Sequence, residues 1–139
     1  MHRAVVAAMG IVVLGWCAEM PQAAADNPLC TASVCAFWSP SRNVDCEIDY
    51  LRSPGIPDET YCQTNSPPQS VHMSASGVLT NCTGTSCLGN AGIGTPTLAY
   101  GQTAGIGPFS CLSAASGVTC TVPSGRGFTI SSAGITPVG

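Results

Sequence analysis

Cysteine is the feature that most constrains this chain. Nine cysteines occur among its 139 residues, and the first, Cys17, lies in an apolar N-terminal stretch. The other eight are Cys30, Cys35, Cys46, Cys62, Cys82, Cys87, Cys111 and Cys120. An even number of cysteines in a short exported chain is typical of a disulfide framework, although the number alone does not determine which residues pair.

The N-terminal residues are typical of a secretory signal. A weakly basic start precedes an apolar run over residues 4–16, and Ala23-Ala24-Ala25 offers a small-residue cleavage site. The run is too short to span a bilayer comfortably, so a cleaved signal over residues 1–25 is favoured over a retained anchor. Acylation at Cys17 is a further alternative, but lipoprotein signals need a small residue where Trp16 stands.

The spacing of the remaining cysteines favours pairing between sequence neighbours. Cys111 and Cys120 would face each other across a hairpin, which makes their bond the best supported. The other expected bonds are Cys30–Cys35, Cys46–Cys62 and Cys82–Cys87. Zinc ligation is the alternative, because two of these pairs have knuckle-like spacing. An exported chain rarely keeps free thiols, so we expect four disulfide bonds and no bound metal.

Short β-prone runs between turn residues predict an all-β domain. The clearest strand covers residues 44–50, where apolar residues alternate with acidic ones. Further strands are expected over residues 71–74, 78–81, 97–101, 109–112, 118–122 and 128–130. Residues 51–60 and 89–96 are expected to be loops, and no helical periodicity follows residue 25.

These elements predict one small domain over residues 37–139, preceded by a lead segment over residues 26–36. We expect a mainly β fold, either an antiparallel sandwich or an irregular barrel of short hairpins, stapled by the disulfide bonds. Residues 39–48 and 113–122 follow one pattern, in which a turn leads through Asn or Gly and Val to a Cys two residues later. This indicates either duplication or repeated hairpin chemistry.

Two sets of residues could support catalysis. His72 is the only histidine after residue 25, but no nucleophile motif stands near it. Asp45, Glu47 and Asp49 would share one strand face at spacings of about 7 Å, which suits a cation site or a glycosidase acid pair. An outward polar face that keeps the strand soluble explains the same pattern. A small extracellular hydrolase is therefore the alternative to a non-enzymatic binding or structural domain.

Charge limits the partners. After residue 25 the chain has three arginines, no lysine and six carboxylates. This balance argues against nucleic acid and anionic membrane surfaces as partners. Gly125-Arg126-Gly127 lacks the lysine and the strand-to-helix context of a phosphate loop, and we expect no cofactor. The expected partner is an unidentified extracellular or cell-envelope ligand, and no membrane span is expected after signal cleavage.

Several short motifs together resemble one family. They lie at residues 37–46, 98–101, 109–111, 117–120 and 125–128. On these motifs the chain is similar to small secreted, Cys-paired domains of actinobacteria, including mycobacteria, that form an uncharacterised group (DUF6636-like). The resemblance covers most of residues 37–138. It implies an exported, mostly β domain with cysteine bridges in its hairpins, and it implies no catalytic residues.

Overall fold

The computed structural model describes residues 29–139, so the expected signal, with Cys17, lies outside the described residues. Ten strands make up the described part. They are β1 (Val34–Trp38), β2 (Val44–Asp49), β3 (Glu59–Thr64), β4 (Gln69–Ser74), β5 (Leu79–Thr83), β6 (Thr103–Ile106), β7 (Phe109–Ala114), β8 (Gly117–Thr121), β9 (Gly127–Ser131) and β10 (Gly134–Val138). A single 3-10 turn at Thr85–Cys87 is the helical element of these residues.

The strands form two antiparallel meanders. Sheet 1 has the order β1-β2-β3-β4-β5, and sheet 2 has the order β10-β9-β8-β7-β6. Both sheets contribute to one core, whose large buried side chains include Phe37, Met73, Phe128 and Ile130. The fold class is confirmed, and the sandwich is the form found, because neither sheet closes on itself. Within residues 29–139, no helix is long and apolar enough to cross a membrane.

The main strand predictions are confirmed. Val44, Cys46 and Ile48 of β2 are buried on the inner face, as the two-residue alternation predicts. The predicted hairpins correspond to β4–β5 and β7–β8, and the strand predicted at residues 128–130 lies within β9. Gly77 lies in the turn of the first hairpin and Gly117 begins β8 directly after the turn of the second, both at positive φ, where glycine is favoured.

The strand predicted at residues 97–101 is wrong. Thr97 forms only an isolated β-bridge with Trp38. The chain then makes a turn that is closed by a hydrogen bond from Gln102 N–H to the Ala99 carbonyl oxygen. β6 begins at Thr103 instead. Residues 97–101 belong to the connection between β5 of sheet 1 and β6 of sheet 2, so no neighbouring strand forms a continuous ladder with them.

The loop predicted over residues 51–60 ends earlier than expected, because β3 begins at Glu59. Glu59 and Thr60 pair with Asp49 and Ile48 of β2, and this pairing buries Thr60 completely. β1 likewise begins at Val34, inside the segment expected to lead into the domain. The strand β10 was not among the predicted strands. It contains Pro137 and lies at the edge of sheet 2, where proline is tolerated.

All four expected cysteine pairs are joined by disulfide bonds. Cys46 lies directly opposite Cys62 on β2 and β3, and Cys111 lies directly opposite Cys120 on β7 and β8. The Sγ atoms of Cys62 and Cys120 are 3.8 Å apart, so the two bonds contact each other in the core. No disulfide bond among residues 29–139 joins one sheet to the other.

The two meanders repeat one unit. In sheet 1 Cys62 lies opposite Val71, and in sheet 2 Cys120 lies opposite Phe128 at the corresponding place. The following turns read Ser-Ala-Ser-Gly at residues 74–77 and Ser-Ser-Ala-Gly at residues 131–134. The repeat noted at residues 39–48 and 113–122 joins different strand pairs, β1–β2 and β7–β8, so it does not coincide with this unit.

Candidate functional site

Strand pairing brings both sets of candidate catalytic residues to the outer face of sheet 1. Asp45 lies opposite Gln63, and Glu47 lies opposite Tyr61. Tyr61 in turn lies opposite His72 on β4. The acidic residues of β2 and the histidine of β4 therefore share one face, with β3 between them.

Asp45 is buried, contrary to the outward polar face that the alternation favoured. Asp45 as a whole is only 6% exposed to solvent. Gln63 Nε2 donates to Asp45 Oδ1 at 3.0 Å and to the Gly89 carbonyl at 2.8 Å, and Gly89 N–H donates back to Gln63 Oε1 at 2.8 Å. The segment after β5 thus covers this end of the face. Burial raises the pKa of Asp45, and the Gln63 hydrogen bond opposes the rise.

Glu47 and Asp49 share one cation. Arg52 Nη1 donates to Glu47 Oε1 at 2.8 Å and to Asp49 Oδ1 at 2.9 Å. Burial raises the pKa of Glu47, the adjacent Asp49 carboxylate raises it further, and Arg52 opposes both. Two of the three acids therefore form a local ion-pair network.

His72 is also paired within the sheet. Its Nδ1 is 3.1 Å from Glu59 Oε2, and its ring centroid is 4.6 Å from that of Tyr61. Among residues 29–139, no hydroxyl or thiol is hydrogen-bonded to the imidazole. The Tyr61 hydroxyl has its own acceptors elsewhere, since Gln63 Oε1 and the Cys87 carbonyl oxygen both lie within hydrogen-bond distance of its single proton. The elements of a Ser–His–Asp triad are thus not assembled around His72.

A small cleft lies between β2 and the covering segment. Its volume is about 100 Å³, and Asp45, Glu47, Tyr61 and Thr95 are among the residues that line it. Two of the sequence-predicted acids, Asp45 and Glu47, therefore face this common space. The volume is well below that of typical small-molecule sites.

A metal centre at the cysteines is not supported. The Sγ atoms of Cys46, Cys62 and Cys120 lie within 4.8 Å of one another. All three are oxidised in disulfide bonds, however, and the thiolate is the form that ligates metal. The cluster is the contact between the two central bonds.

A larger pocket lies elsewhere, where several turns meet, and has a volume of about 260 Å³. We call it the serine pocket. Its lining residues are Ser39, Ser41, Asn43, Val44, Tyr100, Ala114, Ala115, Ser116, Gly117, Ser131 and Ser132. None of these residues carries a charge.

One wall of the serine pocket is fixed by internal hydrogen bonds. Ser39 Oγ and Ser41 Oγ are 2.9 Å apart, and Ser39 Oγ also accepts from Val44 N–H. Asn43 is held by two bonds to the backbone of Ser66, one given and one received. This wall is therefore preformed.

Other residues that line the pocket have free hydroxyl groups. Within the described part of the chain, the side-chain hydroxyls of Tyr100, Ser116 and Ser132 have no hydrogen-bond partner. Tyr100 is 48% exposed, so its ring is open to a ligand. Sequence reasoning missed this pocket because its serines lie in turns far apart along the chain, and only the strand topology brings them together.

Comparisons of the chain with protein-family models, curated proteins and solved structures find no match. The resemblance to the DUF6636-like group therefore stays a prediction. The geometry of this chain is the basis for the functional proposals below.

Proposed function

We propose that the protein is a non-enzymatic binding domain that works outside the cytosol, either secreted or held in the cell envelope. Four disulfide bonds in a chain of this length are compatible with an oxidising compartment. The apolar N-terminal run followed by a small-residue site supports export.

The observation that carries the proposal is the contrast between two regions. On the outer face of sheet 1, the candidate catalytic groups are already paired with one another: Arg52 with two acids, and His72 with Glu59. In the serine pocket, by contrast, an open volume meets hydroxyl groups without partners. A concave site that has a preformed wall and polar groups left free for a ligand is suited to binding.

The proposal is tested by fractionating cells that express the full chain and by assaying the exported protein. We expect cleavage after Ala25, no thiol that can be alkylated, and a mass roughly 8 Da below that of the reduced form, since each bond removes two hydrogens. We also expect no turnover of chromogenic glycosides, esters or peptides. Recovery only from the cytosol with free thiols would contradict the proposal.

A small hydrolase remains the second candidate, and the cleft beside β2 is the observation that favours it. Asp45 and Glu47 both line the cleft, and burial raises the pKa of each. A carboxyl with a raised pKa is suited to act as a general acid. Turnover that disappears in Glu47→Gln and persists in Ser124→Ala, a change on an exposed turn, would establish this alternative.

A further inference from the structure

Resting on the proposed binding function, we propose that the serine pocket binds a neutral saccharide. The pocket contains no charged side chain. The nearest candidate, Arg42, stands between the lining residues Ser41 and Asn43, but its guanidinium lies over the Trp38 ring, 5.8 Å from the centroid. An ionic ligand would lose its hydration in the pocket without gaining a counter-charge, and this cost favours a neutral ligand.

The hydrogen-bonding groups of the pocket match a polyhydroxylated ligand. The free hydroxyls of Tyr100, Ser116 and Ser132 can each donate one hydrogen bond and accept others. Sugar hydroxyls have the same dual capacity, so each contact can form in either direction. The fixed wall at Ser39, Ser41 and Asn43 adds no ordering cost, because its side chains are already held in the free protein.

The apolar part of the pocket lining suits the face of a sugar ring that is rich in C–H groups. The Tyr100 ring is half exposed, and Val44, Ala114 and Ala115 line the same pocket. A pyranose has one face rich in C–H groups, which packs on an aromatic ring, and a hydroxyl rim that needs polar partners. Tyrosine offers an apolar body and a polar tip for such a ligand. The volume of about 260 Å³ accommodates a saccharide far better than the cleft of about 100 Å³.

The test is an NMR titration of the oxidised, 15N-labelled protein. The probes are maltotriose, cellotriose, mannotriose and xylotriose, with trigalacturonic acid as the charged comparison and a set of non-carbohydrate fragments. We expect a neutral trisaccharide to cause saturable shifts of the Ser116, Gly117 and Ser132 amides. Tyr100→Ala should weaken binding about tenfold, whereas Tyr100→Phe, which keeps the ring, should weaken it about threefold or less.

Leu112→Ala is the matched control, because Leu112 is an exposed apolar residue of β7 outside the pocket. Its affinity should equal that of the wild type. Shifts caused by non-carbohydrate fragments alone, or stronger binding of trigalacturonic acid, would overturn the saccharide proposal and leave the binding function standing. If Tyr100→Ala leaves the affinity for the trisaccharide unchanged, the saccharide proposal, which rests on the Tyr100 ring, fails and the binding function stands. If no probe shifts the pocket amides, both proposals fail.

Discussion

The bond between Cys46 and Cys62 is expected to be the most stabilising of the four. It closes the largest loop, with a sequence separation of 16. Loop-closure entropy gives about 3 kcal/mol for a loop of this size, about 2.5 kcal/mol for the Cys111–Cys120 loop and about 2 kcal/mol for a separation of five. Replacing both Cys46 and Cys62 by alanine should therefore lower the free energy of unfolding by about 3 kcal/mol through the unfolded chain alone.

Packing adds to this loss. Cys46 and Cys62 are almost completely buried, and the Cys62 sulfur contacts that of Cys120 at 3.8 Å. Removing two sulfur atoms leaves a small void in the middle of the sandwich, which costs about a further 1 kcal/mol. The expected total for the double alanine variant is therefore about 4 kcal/mol.

Urea unfolding without reductant measures this difference. The matched control is the double variant Cys82→Ala, Cys87→Ala, whose bond closes a separation of 5 outside the core. It should lose about 2 kcal/mol. Equal losses in the two variants would refute the reasoning, because neither loop size nor core packing would then matter. The dependence of the unfolding free energy on urea concentration (the m value) must be compared as well. A disulfide bond that keeps the unfolded chain compact lowers the m value.

Three further predictions concern other parts of the fold. Burial raises the pKa of Asp45, so the folded protein favours the neutral form of this carboxyl group. The protein therefore loses stability as the pH rises through that pKa and the carboxyl group ionises. Asp45→Asn, which cannot ionise, should stabilise the protein at pH 7 but not at pH 3. Urea midpoints at both pH values test this, and a gain at pH 3 alone would contradict it. Gly107→Ala should cost about 2 kcal/mol in thermal unfolding, because φ is +56° and the new Cβ would lie 2.6 Å from the Tyr50 ring. Gly125→Ala, which has open space around it, should cost about 1 kcal/mol, and equal losses would argue against the Tyr50 contact. A single proteolytic cut near exposed Ile93 should give two fragments that separate in denaturant without reductant; fragments that stay joined would contradict the pairing.

Local features of the fold were predictable from sequence, and non-local ones were not. The inner face of β2 followed from the two-residue period, and the Cys111–Cys120 bond followed from a hairpin that the sequence encodes locally. The burial of Asp45 depends on Gly89, which lies more than forty residues further along the chain. The alternation of residues within β2 carries no information about whether a distant segment covers that face of the strand.

The serine pocket shows the same limit. Its serines were visible as turn residues, but each turn has a sufficient local explanation in hairpin geometry. They become a site only because residues 39–44 and residues 114–117 belong to different sheets that pack together. A strand order was needed to see this, and the sequence predicted hairpins without their arrangement.

Three disulfide bonds precede the segment over residues 89–102 and the fourth follows it, so none of them links the first meander to the second. Two chains could exchange their second meanders through this segment, and each composite sandwich would keep all four native bonds. Shortening the segment would favour such an exchanged dimer, because a strained hinge opens more readily. The four disulfide bonds alone are therefore equally compatible with a sandwich made from one chain and with a sandwich made from two.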